Sequence, residues 1–193
     1  FYAFSLYKTF GPHLALLYGK KEILNQLPNQ NHKFLEGNVP YTLNPGGPNH
    51  EELSSLIGIS EYFENLYNHH FEKKNISKLE KIRKVNNLIS DHEEKIANKL
   101  LQFIETKKEI KLIGKKRILN KNRAPTISFT VEGKTSKKVS ELLVREGIAT
   151  RNDNFYAWRC LQALGIDTND GVIRTSMVHY NDSNDVENLI RAL

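Results

Sequence analysis

Cysteine is almost missing from this chain. Cys160 stands alone among 193 residues, so no internal disulfide framework can form, and the composition suits a reducing, cytoplasmic compartment. Long apolar runs are missing too. Leu14 to Tyr18 is enough for one short strand and far too little to span a membrane, so no membrane partner is expected. The opening residues do not read as a secretory signal, because Phe1 begins a strand-like run rather than a charged head. Methionine occurs once, at Met177, so Phe1 is not expected to be a natural initiator. Of the seven histidines, the adjacent pair His69 and His70 has no third ligand at useful spacing, and no structural metal is expected. What remains is 39% apolar and 26% charged, a globular composition with enough material for a core.

The net charge is +6, and much of the lysine and arginine falls between Lys73 and Arg123. A basic nucleic-acid-binding module is one reading of that cluster. The spacing favours another. Ile82, Val85, Ile89, Ile96, Leu100 and Ile104 recur at three- and four-residue steps, so the charges form the wet side of an amphipathic helix. Glutamates interleave with the lysines and no aromatic ladder accompanies them, so a nucleic-acid partner is not expected.

Along the chain, a strand from Phe1 to Leu6, a lysine loop and a second strand are followed by a short helix over Lys20–Leu27 that Pro28 closes. An extended piece is expected around Phe34 and Leu35, and a tight turn over Asn44–Asn49. Leu53, Leu56, Ile57, Ile59, Tyr62, Phe63 and Leu66 then crowd one broad helical face, before a polar break over Asn68–Asn75. The long helix is expected from about Ile76 to Glu105. Strands are expected at Ile110–Ile113, Thr126–Val131, Ile148–Thr150 and Val172–Tyr180. Helices are expected over Thr135–Glu146, with Val139, Leu142 and Leu143 inward, and over Asn154–Leu164; Gly147 and Gly165 stop them. Ser183 reads as the N-cap of a last helix. The division is residues 1–75, a connecting helix over 76–109, and a small α+β domain over 110–193.

Three places read as chemistry. Ser5-Leu6-Tyr7-Lys8-Thr9-Phe10-Gly11-Pro12 puts a lysine between an apolar strand and a Gly-Pro turn. At the edge of a buried layer, desolvation favours the free amine that imine chemistry on a carbonyl requires. Gly46-Gly47-Pro48-Asn49-His50 opens a helix, where glycines admit an anion close to the backbone and free N–H groups face it. Arg174 lies on the strand Gly171 to Ser176, and a planar guanidinium matches an α-carboxylate with two parallel donors.

The lysine segment, the Gly46–His50 turn and the ending His179-Tyr180-Asn181 together resemble the class V aminotransferases, the group of pyridoxal-phosphate enzymes that includes cysteine desulfurases. The resemblance runs along essentially the whole chain and is nearest to the desulfurase-like branch. It implies an α/β fold: the C-terminal part of the large domain of a fold-type-I enzyme, followed by a smaller α+β domain. It also implies that residues 1–75 are the remnant of a larger cofactor-binding domain whose preceding half supplies further cofactor contacts. Lys8 is then the Schiff-base lysine, with Ser5 and Tyr7 beside the cofactor, and Arg174 binds the carboxylate of an amino-acid substrate. Gly46 and Gly47 correspond to a turn that reaches the cofactor phosphate of a partner subunit, which implies a homodimer. Gly47 stands where the family has threonine, so the hydroxyl contact is lost. Tyr156 stands where one class of desulfurase carries its sulfur-accepting cysteine, and Cys160, four residues on, reads as a buried thiol. Arg151 and Tyr156 are expected to line the substrate entrance. Aminotransferase or β-lyase chemistry is the implied activity, with a non-catalytic relative of the fold as the alternative.

Overall fold

The computed structural model describes residues 1–44, 46–72 and 75–193. Pro45 of the expected turn, and Lys73 and Lys74 of the expected break, lie outside them. Two compact units divide the chain, Phe1–Val85 and Asn86–Leu193. The boundary falls inside one long helix.

The first unit opens with a two-stranded antiparallel ribbon, β1 (Tyr2–Ser5) and β2 (Ala15–Tyr18), in which Tyr2 faces Tyr18 and Ser5 faces Ala15. Between the strands runs a 3₁₀ turn over Leu6–Thr9. The turn is closed from both sides. Leu6 N–H donates to Leu14 O at 2.8 Å, Gly11 N–H donates to Leu6 O at 2.9 Å, and the Thr9 hydroxyl donates to the same carbonyl at 2.9 Å. Leu6 is buried, and Phe10 takes a left-handed φ of 64°. That conformation is uncommon for a residue with a side chain, and the Phe10 ring meets Tyr62 at 5.3 Å between centroids.

The helix that receives this loop is α2 (His50–His70), capped by the Asn49 side chain accepting from Glu52 N–H at 2.9 Å. Its contact with the loop sets the residue at position 11. A Cβ built on Gly11 would lie 2.5 Å from Ile59 Cδ1 and 2.9 Å from Leu6 O. At the far end of α2, Tyr67 is buried. Its ring stacks on Phe71 at 5.2 Å and carries Lys81 Nζ at 5.4 Å, while Lys81 pairs with Glu64 at 2.6 Å.

Several expectations need correction in this unit. The helix after β2 is only α1 (Lys21–Leu24), and Phe34 and Leu35 sit in a 3₁₀ turn, because His32 O accepts from Leu35 N–H at 2.9 Å and curls the chain. The helix runs four residues past Leu66, since Asn68, His69 and His70 keep bonding backward where a break was expected. The broad apolar face of α2 is not a closed core: Leu53 and Ile57 are exposed.

The second unit is built on a four-stranded antiparallel sheet in the order β3-β4-β6-β5, formed by β3 (Ile110–Ile113), β4 (Thr126–Val131), β5 (Arg151–Asp153) and β6 (Val172–Ser176). Alternation decides its two faces. Ile127, Phe129 and Ile173 turn to one side and join Ile96, Leu100 and Ile104 of α3 (Lys78–Thr106), Val139 and Leu143 of α4 (Ser136–Arg145), and Val186 and Leu189 of α6 (Ser183–Ala192) in a single core. Thr135 caps α4 by accepting from Lys138 N–H at 3.2 Å. Gly147 and Gly165, with φ of 76° and 68°, follow α4 and α5 (Trp158–Ala163) as the stop signals require. The last helix is capped by Asp182, not Ser183, in a capping box with Asp185.

Other boundaries move as well. The short third strand falls at Arg151–Asp153, since Ile148 is held back by its N–H donating to Leu143 O at 2.9 Å. Leu142 is exposed because it lies one position off the inward stripe of α4. Helix α5 keeps only Trp158–Ala163, and the final strand stops at Ser176. Beyond it, Asn181 ties the turn. Its side chain accepts from Val178 N–H at 3.0 Å, and its carbonyl sits 2.7 Å from His92 Nε2.

Packing and burial give three predictions. Gly11→Ala destabilises the first unit by about 1–3 kcal/mol, as overpacking does. Gly58→Ala, with nothing within 4 Å of its added methyl, stabilises α2 by about 0.5–1 kcal/mol. Urea unfolding followed by circular dichroism checks both. In the second unit, burial pushes the Glu93 carboxyl above its usual range, opposed by the neighbouring His92. The folded state therefore prefers the protonated acid, and the contribution is lost as pH rises through the carboxylate range. Glu93→Gln raises the urea midpoint at neutral pH, read by Trp158 fluorescence, and the gain disappears below about pH 4, under the ordinary glutamate value.

Candidate active site

The structure places the expected site residues in two groups, one in each unit.

In the first unit, Lys8 sits on the 3₁₀ turn rather than at the end of a strand. Strand β1 stops at Ser5: Leu6 N–H still reaches Leu14 O across the ribbon, but Leu14 N–H turns to Pro12 O and Leu6 O accepts from Gly11 N–H. Lys8 is exposed, so the burial expected of it does not come from this chain. It opens onto a surface cavity of about 560 Å³, lined also by Ser5, Thr9, Ala15 and the ribbon residues Tyr2 to Phe4. The Lys8 amine thus shares an open hollow with the hydroxyl-bearing side chains of Tyr2, Ser5 and Thr9, the last with its proton given to Leu6 O. That donor set fits a carbonyl compound bearing an anionic group, which is the test pyridoxal phosphate must pass here. Tyr7 does not line the hollow. Its ring meets His13 at 4.6 Å between centroids, tilted by 47°, and lies under Lys8 Nζ at 5.6 Å. Thr9 and His13 escaped the sequence reading. Thr9 had adjacency to Lys8 as its only signal, and His13 had its place after the Gly-Pro turn.

Gly46 and Gly47 are exposed, and an added methyl on either would touch nothing. The helix N-terminus beside them is partly spent: Asn49 takes the Glu52 N–H, and Glu51 and Glu52 occupy the first turn. Those carboxylates already answer the helix dipole, so the expected anion cradle is weaker than the glycine pair suggested.

In the second unit, Arg174 and Arg151 are Cα partners across β6 and β5. Ser128 faces Arg174 from β4, and Ile113 faces Ser128 from β3. These four form one row across the sheet, on the face turned away from the core. Phe155 lies against Arg174, with 4.1 Å between the guanidinium carbon and the ring centroid. Phe155 and Tyr156 both take left-handed φ values, 53° and 60°. Asn154 holds them there: its Oδ1 accepts from Tyr156 N–H at 3.1 Å, its carbonyl accepts from Ala157 N–H at 2.8 Å, and its amide donates to Thr168 O at 3.3 Å. Two successive left-handed residues with side chains are strained, and such strain concentrates at functional positions. The Tyr156 side chain stands fully in solvent at the tip, and Phe155 beneath it was missed by the sequence reading. Cys160 is exposed, not buried, because α5 has only six residues and turns Leu161 inward in its place.

A model of the family described as aminotransferase class-V matches residues 1–189. The chain belongs to the class V aminotransferase family. It is 32% identical over its whole length to an aminotransferase-like protein, FGM3, of Gibberella zeae, and 25% identical to a probable cysteine desulfurase of Pseudomonas putida. It spans 45% and 44% of those two proteins. The crystal structure of the cysteine desulfurase CsdA from Escherichia coli superposes with a TM-score of 0.69 at 24% identity, covering 99% of this chain and 44% of that one. An apo cysteine desulfurase from Thermococcus onnurineus gives 0.68 at 21%. This class V chain therefore has the mixed α/β fold of the desulfurases, in a portion of their length. Among the described residues, no helix is long and apolar enough to cross a membrane, and no group of three or more metal-ligating side chains is assembled.

The Phe155–Arg174 stack yields a prediction. Phe155→Ala removes a contact worth about 0.5–1 kcal/mol and loosens the guanidinium. Hydrogen exchange at Arg174 Nε–H, followed by nitrogen-15 NMR, then becomes faster than in the parent chain.

Proposed function

We propose that this chain is the lysine- and arginine-bearing portion of a pyridoxal-phosphate enzyme acting on an amino-acid substrate, by aminotransferase or β-lyase chemistry. The observation that carries the reading is the Lys8 amine opening on a hollow it shares with Ser5 and Thr9, in a chain of the class V family. Pyridoxal phosphate, when bound, supplies a ring that takes up electrons from the substrate's α-carbon. Lys8 is the residue that holds it, and its Nζ then acts as the base that moves the α-proton. Ser5 contributes a hydroxyl donor, the Thr9 hydroxyl, its proton given to Leu6 O, can only accept, and Tyr7 backs the lysine. Arg174 binds and orients the substrate carboxylate through its two parallel donors.

Tyr156, at the position of a desulfurase cysteine, has no thiol to accept sulfur, so the reading stops at aminotransferase or β-lyase and does not extend to persulfide transfer. A homodimer, in which the Gly46–Gly47 turn serves the partner's cofactor, and a cytoplasmic location belong to the same proposal. The division into a large-domain remnant, a connecting helix and a small domain over 110–193 also belongs to it. One observation favours a second reading, a non-catalytic relative: the Gly47 turn lacks a hydroxyl, and Glu51 and Glu52 already sit at the helix start.

Incubation of the upstream-extended chain with pyridoxal phosphate, borohydride reduction and peptide mass spectrometry separates the two. The enzyme reading expects one phosphopyridoxyl adduct, on Lys8, lost in Lys8→Ala. Labelling scattered over surface lysines, or none on Lys8, would establish the non-catalytic relative instead.

A further inference from the structure

Arg151 and Arg174 face each other across the β5–β6 pair, so their side chains leave the same face of the sheet. Directly opposed like charges destabilise a strand pair. Among the described residues, neither guanidinium forms an ion pair with a carboxylate within 4 Å. Asp153 shares their face, but its Oδ1 accepts from Asn154 N–H at 2.7 Å. The Arg174 Nε is buried with no hydrogen-bond partner. The guanidinium lies over the ring of Phe155, which Asn154 holds in a strained backbone. A pair of like charges kept side by side, with one buried donor unspent, is arranged for anions that are absent from the chain itself.

A single carboxylate accepts two parallel donors of one guanidinium and balances its charge. It leaves the other arginine uncompensated. We propose that Arg151 and Arg174 together select an amino acid whose side chain ends in a second anion, the aspartate class, with the α-carboxylate on Arg174 and the side-chain anion on Arg151. The inference rests on Arg174 being the carboxylate arginine of the proposed function. Arg151 thereby becomes the residue that sets specificity, and the edge position of β5 leaves its side chain exposed to an incoming ligand.

The test compares two ligands of nearly equal size that differ in one charge. Nitrogen-15-labelled chain is titrated with L-aspartate and with L-asparagine, and binding is read from the arginine Nε–H resonances, without cofactor. Aspartate is expected to bind about tenfold more tightly, the low end of what a charge-assisted hydrogen bond contributes. In Arg151→Gln that preference falls to near unity while asparagine binding is unchanged. In Arg151→Lys part of it survives, and in Arg174→Gln both ligands weaken together. Equal binding of aspartate and asparagine, or a preference that persists in Arg151→Gln, overturns the proposal. The readout is independent of Lys8. A chain that labels at Lys8 but treats the two ligands alike loses only the substrate class. A chain that prefers aspartate but fails to label keeps the arginine pair as a binding site.

Discussion

Burial of Leu6 is the contact on which the presentation of Lys8 depends. The residue fills the inside of the loop between β1 and β2, and its backbone is bonded on both sides, to Leu14 and to Gly11. Without it, two hydrogen bonds and a hydroxyl contact would have no common anchor, and a ribbon of two four-residue strands would be marginal on its own. The glycine at position 11 lets the same loop press on Ile59, and Phe10 reaches Tyr62 from a left-handed backbone. The lysine is thus mobile only beyond its own Cα. A fixed base under a flexible side chain suits the role proposed for Lys8, holding a carbonyl and then moving a proton.

The second unit solves a different problem. One face of its sheet is committed to a core drawn from three helices, which frees the other face for polar work. The Arg151–Arg174 row occupies that face, and the Asn154–Tyr156 corner brings an aromatic ring against it. Strain at Phe155 and Tyr156 is tolerated because Asn154 ties the corner through three hydrogen bonds to the backbone. Stability here comes from the core face, and the open face is where the proposed recognition would lie.

Much of this was legible in the sequence, for reasons that differ by element. The strands Ile110–Ile113 and Thr126–Val131 lie where alternation put them, because period two is enforced by burial of one face. The long helix declared itself by its isoleucine and leucine stripe, and runs Lys78–Thr106. Legibility failed where side chains outvote periodicity. Ile148–Thr150 has strand composition, yet the Gly147 turn hands the pairing to the polar Arg151–Asp153. Cys160 followed an apolar pattern that a six-residue helix is too short to obey. The motif around Lys8 was readable as a motif, but the 3₁₀ geometry was not, since it arises from Leu6 and Leu14 meeting across the turn. The facing of Arg151 and Arg174 was hidden for a similar reason: register is a property of paired strands.

The most direct test of this account is amide hydrogen exchange along the lysine loop. A loop held by Leu6 predicts slow exchange at the amides of Leu6, Gly11 and Leu14, with protection comparable to the Tyr67 turn of α2. The amides of Tyr7 and Lys8, at the start of the 3₁₀ turn, should exchange faster. Exchange at Leu6 and Gly11 as fast as in an unstructured peptide would contradict it, and would mean that Lys8 is carried by a loose segment with no fixed place to bring a carbonyl.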